Sequence, residues 1–95
     1  MFIVLLTFSD NKSRAAEFMP AHNEWIKGGM DDGIFLLVGS LQPKRGGAIL
    51  AHNTSLDALQ SRVNDDPFVA EGIVKAEILE ISPARADAKL QFLLD

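Results

Sequence analysis

Cysteine is absent from this chain of 95 residues. That removes disulfides, thiolate nucleophiles and cysteine-held metals together, and it suits a reducing compartment. No apolar run approaches the length of a membrane span. The longest at the start, Phe2 to Phe8, covers about seven residues with no basic leader, which is short for a signal peptide or a spanning helix. The expectation is a cytoplasmic protein with no membrane partner. Basic residues are few, nine against thirteen acidic for a net charge of -4, and only Lys44-Arg45 stand together, so no phosphate-binding stripe exists and no nucleic-acid partner is expected. A glycine-rich phosphate loop is missing too, because Gly46-Gly47 lacks both the spacing and a following helix. The histidines, His22 and His52, show no spacing that would converge them with Asp66 on a metal, so no metal or other cofactor is expected, and His52 reads as an exposed strand-end residue.

What is present is apolar: 47% of the residues, in a chain long enough for one domain over 1–95. A domain this small buries only about 60 to 65% of its unfolded surface. Some apolar face is left to be covered, and a second copy is the simplest cover.

Six residues, Asn64-Asp65-Asp66-Pro67-Phe68-Val69, join a helix stop, a carboxylate and an apolar anchor. Pro67 has no N–H and excludes the helical region for the residue before it, so Asp66 is held on stiff, extended backbone. Phe68 and Val69 turn the corner toward the core. The same tripeptide also serves as a plain helix terminator.

In chain order, Phe2–Phe8 and Ile34–Val38 read as strands apolar on both faces, the second ending in Gly39-Ser40. Between them, a short helical piece to Phe18 is followed by a main helix from Pro20 to about Met30, proline being welcome at a first helical position. His22, Trp25, Ile26 and Gly29 fall on one face of it, while Asn23, Glu24 and Lys27 point elsewhere. Gly28-Gly29 permit a close backbone approach, and Gly33 a left-handed cap.

Pro43 to Gly47 forms a turn into strand Ala48–His52, with Lys44 and Arg45 at the hairpin tip. Thr54 and Asp57 make a weak capping box for a helix carrying Leu56, Leu59 and Val63. Ile73 to Ile81 alternate with one slip of phase, which a bulge between Glu77 and Glu80 explains. Ser82-Pro83 opens a terminal helix, 83–95. The order is the ferredoxin-like βαββαβ pattern, an α+β fold with an antiparallel sheet and an extra C-terminal helix.

Pro20-Ala21-His22 at a helix start, Gly39-Ser40 at a strand end and Asp66-Pro67-Phe68-Val69 before Gly72 resemble the YciI-like (YCII-related) family, from about Phe2 to Ser82. The resemblance implies a dimeric α+β barrel whose site is a histidine and aspartate pair, mapping to His22 and Asp66. It also implies Ser40 as a polar contact and Phe68 as the pocket aromatic. The tail from Pro83 departs from the family's short ending.

If the pair meets, Asp66 orients His22, which takes a proton from a small organic substrate while Ser40 or a backbone N–H steadies the developing oxyanion. The reading is a cofactor-independent lyase or isomerase, with Trp25 able to stack on an aromatic substrate. Two rivals stand beside it. One is a non-catalytic dimeric module that binds a small ligand or assists a partner. The other is a cofactor-free oxygenase on the same barrel. His22 as a core histidine satisfied for structural reasons also stays open.

Overall fold

The computed structural model describes residues 1–94. Phe2–Phe8 forms β1, one of two inner strands of a four-stranded antiparallel sheet. A single 3₁₀ turn at Lys12–Arg14 leads into helix α1, Ala15–Asp31. Strands β2 (Phe35–Leu41) and β3 (Gly46–Ala51) make the hairpin, α2 spans Leu56–Asn64, and the one-turn helix α3 spans Pro67–Ala70. β4 (Val74–Glu80) completes the sheet in the order β2-β3-β1-β4, the ferredoxin-like arrangement.

Alternation along β1 separates the two faces. Phe2, Val4 and Leu6 are buried, together with Ile49, Ala51 and Val74 of neighbouring strands and with Leu59, Val63 and Phe68 of the helices. Register places Ile3 opposite Leu50 and Leu79 on the other face, with Leu5 opposite Ala48 and Glu77. No helix covers that second face, and Leu37 and Leu79 on it are exposed. Among the described residues no helix is long and apolar enough to cross a membrane.

Several local expectations are corrected. Helix α1 does not begin at Pro20 but runs through it from Ala15. Interior proline costs about 3 kcal/mol, and strong helix formers upstream (Ala15, Ala16, Glu17), with Ala15 and Phe18 packed on the core, offset it. Strand β2 continues past Gly39-Ser40 to Leu41, so Ser40 lies within the strand. The α2 cap is Ser55, whose hydroxyl accepts from Ala58 N–H at 3.1 Å, rather than Thr54. β4 pairs with β1 without a register shift, and the irregularity lies in β2 between Phe35 and Leu37. The phase slip in β4 is a change of cover: its open face passes from Lys75 and Glu77 to Leu79 and Ile81, which an outer strand permits. Lys44, with φ of 51°, takes the left-handed position in the hairpin turn.

The tail is helical only over Ala88–Leu94, with 3₁₀ geometry, and Asp87 caps it by accepting from Lys89 N–H at 3.0 Å. Leu90, Phe92 and Leu94 remain exposed, so among the described residues the apolar stripe that would hold an α-helix from Pro83 finds little surface beyond the edge of His52. Asp95, the last residue of the expected helix, lies outside the described residues. Gly29 packs as the glycine pair suggested: a Cβ there would stand 2.2 Å from the Phe35 ring, so α1 lies on the sheet by way of its backbone.

Candidate active site

Asp66 is the N-cap of α3, with φ of -63° and ψ of 122°, the extended conformation that Pro67 imposes. Its backbone is tied at both ends: N–H to the Val63 carbonyl at 3.1 Å, and carbonyl to the N–H groups of Val69 and Ala70, both at 2.9 Å. The side chain is wholly buried. Oδ1 accepts from Phe68 N–H at 3.0 Å and from His22 Nδ1 at 2.7 Å. Oδ2, equally buried, has no hydrogen-bond partner among the described residues.

His22 comes from the middle of α1, 44 positions away. Its ring lies parallel to Phe68, with centroids 3.9 Å apart and planes 3° from each other. Phe68 and Asp66 thus fix the same imidazole, one by its face and the other by its edge. A carboxylate only accepts, so Nδ1 carries the proton of this contact, and in the neutral ring Nε2 is the nitrogen with the lone pair. Trp25 lies one turn on, 5.9 Å from the His22 ring, and donates from Nε1 to the Arg62 carbonyl at 2.8 Å. That bond ties α1 to α2.

A cleft of about 360 Å³ opens between α1 and the sheet, with His22, Asn23 and Phe68 on its walls and Ser40, Gly46 and Gly47 among the strand residues lining it. Its volume lies toward the small end of ligand cavities, about 300 to 1,000 Å³. Of the sequence candidates, His22, Ser40 and Phe68 border this space, and Asp66 sits behind His22. Trp25 does not border it; its edge lines a separate hollow beside α2. Asn23 was expected to face away, yet it lines the cleft with Met19, His22 and Ile26. The spacing 19, 22, 23, 26 was available as a helical face, and weighting it by apolarity hid the amide. His52 is half-buried beside Phe92, with ring centroids 5.7 Å apart, far from this chemistry in the chain and absent from the cleft lining. Among the described residues no group of three or more His, Asp or Glu side chains could hold a metal ion.

Residues 1–82 match the YCII-related domain. The chain belongs to the YCII-related family. No curated protein matches its sequence. Among solved structures, it is similar to the 5-chloro-2-hydroxyhydroquinone dehydrochlorinase TftG from Burkholderia phenoliruptrix AC1100, in complex with 2,5-dihydroxybenzoquinone. The likeness has a TM-score of 0.68 at 14% identity and covers 85% of this chain and 93% of that one. At that identity it establishes a shared fold, the ferredoxin-like α+β type. The YCII-related match ends where the tail begins, so residues 83–94 are an addition to the family domain.

Proposed function

We propose that this YCII-related protein is a small lyase or isomerase in which His22 Nε2 removes a proton from an organic substrate held in the cleft. The observation that carries the reading is the 2.7 Å contact between His22 and a fully buried Asp66 at the cleft wall. Asp66 holds the ring by Nδ1 and stabilises the imidazolium that forms, the division of labour of a base and its orienting acid. Ser40 and Asn23 are the polar side chains placed to receive a developing oxyanion, and Phe68 keeps the imidazole plane fixed. Trp25 supports His22 from behind and is a positioning residue.

That His22 also lines the cleft supports this reading over a purely structural pair. The fold shared with a dehydrochlorinase supports a proton-transfer or elimination reaction. A panel of small activated acids incubated in D₂O tests it: the protein is expected to accelerate exchange or elimination at a carbon beside an electron-withdrawing group, read by proton NMR. Saturable binding with no exchange at any member would make it a binding module instead.

We also infer that two copies pair through the uncovered sheet face, where Ile3, Leu5, Leu37, Leu50, Leu79 and Ile81 lie side by side. The zero-cysteine composition suits assembly in the cytoplasm. Light scattering is expected to give about twice the chain mass of 10.4 kDa, and Leu79→Lys to shift it toward the single chain. A wild-type mass of one chain would refute the pairing.

A further inference from the structure

A second hollow adjoins the His22 cleft and shares Phe8, Ser40 and Gly46 with it. Lys12, Gln42 and Lys44 complete its lining, and no acidic side chain borders either space. In a chain of net charge -4 this is a local reversal of sign. Among the described residues Arg14, Lys27 and Arg62 each hold an acidic partner, whereas neither Lys12 nor Lys44 has one within 4.0 Å. Lys12 is also placed: its Nζ lies 4.8 Å from the centroid of the Phe8 ring, on the wall common to both hollows. Lys44 joins the same lining from the hairpin turn, where its backbone is left-handed.

We propose that this hollow is an anion subsite of the same cleft, and that the substrate is therefore a small organic acid. Its carboxylate, or an equivalent oxyanion, lies between Lys12 and Lys44, which leaves the Ser40 hydroxyl and Asn23 to the reacting end. Its apolar body runs along Phe8 and Val38, and the carbon that loses a proton lies against His22. The inference rests on the cleft being a substrate site and adds the class of molecule. Two ammonium groups at the mouth of an apolar cleft focus their field on an entering anion, and charge-assisted contacts fix which end enters first.

Benzoate and benzamide, nearly alike in shape and different in charge, separate this from simple apolar binding. Titrated into isotopically labelled protein, benzoate is expected to shift the amides of Ser40, Gly46 and Gly47 and to bind about tenfold tighter than benzamide. That preference is expected to vanish in the double variant Lys12→Gln/Lys44→Gln and to shrink in about 0.5 M salt. Equal affinities, no shifts at these amides, or a preference that survives in the double variant would each overturn the anion subsite. None of those outcomes touches proton transfer by His22. Conversely, lysine-dependent benzoate binding in a protein that exchanges no proton would leave the subsite standing and remove the base.

Discussion

Replacing Asp66 by asparagine is expected to lower kcat by up to about a thousandfold while the protein stays folded. Opposite charges 4 Å apart attract by about 4 kcal/mol at an effective dielectric near 20, and that is the help the carboxylate gives an imidazolium in the transition state. That is about three decades in rate, and desolvation reduces it, so a factor of about 10³ is the ceiling. The geometry survives the change. The asparagine carbonyl can stand where Oδ1 stands, still accepting from Phe68 N–H and His22 Nδ1, because a nitrogen there would face a donor. The amide nitrogen then occupies the place of Oδ2, where no partner lies among the described residues, and the stability loss is limited to about 1 to 3 kcal/mol. His22→Gln, which removes the base itself, should be at least as severe in kcat. A steady-state assay below both melting temperatures checks this. A purely structural pair would show the reverse pattern, a large fall in melting temperature with kcat intact.

Gly46→Ala is expected to be the most damaging small substitution for folding, at about 3 kcal/mol or more. Gly46 has φ of 135°, and a Cβ built there stands 1.9 Å from the Leu6 carbonyl oxygen. Backbone strain of this kind costs about 1 to 3 kcal/mol, and displacing a strand to relieve the overlap adds about 1 to 3 more. The carbonyl belongs to β1, and Gly46 pairs with Thr7 beside it, so relief means parting β3 from β1 under the cleft. The melting temperature should fall by at least about 10 °C in a domain of this size. Gly28→Ala is the matched control. Nothing lies within 4 Å of its Cβ, and it sits in a helix where alanine is favoured by about 1 kcal/mol, so stability should rise. Urea titrations moving the two variants in the same direction would refute this account of the floor.

Much of this was legible in the residues because one feature admits few alternatives. Pro67 dictates the backbone of Asp66, and two strands apolar on both faces dictate a layered sheet. That Asp66 meets His22 was not legible from spacing, since a separation of 44 positions can place the two groups anywhere; the family resemblance suggested it. The misplaced start of α1 came from reading Pro20 by local rule alone, when packing of the preceding turn outweighs one missing hydrogen bond. Asn23 was overlooked because a helix face was drawn from hydrophobicity, and a cleft wall needs polar groups as well. Lys44 was read as a solvated hairpin tip. Its place beside Lys12 depends on how the turn folds back over the end of β1, which no periodicity encodes. For the tail the apolar stripe was real, and what the sequence could not supply was enough surface for it to pack on.

The most direct test is the protonation pattern of one ring. In long-range nitrogen–proton NMR spectra of protein labelled in its imidazoles, His22 is expected to be a single tautomer, protonated at Nδ1 and bare at Nε2. The Nε2 resonance is expected to move when members of the panel of small activated acids are added. A proton on Nε2 in the neutral ring, or an Nε2 signal indifferent to every member of the panel, would contradict His22 as the base of this cleft.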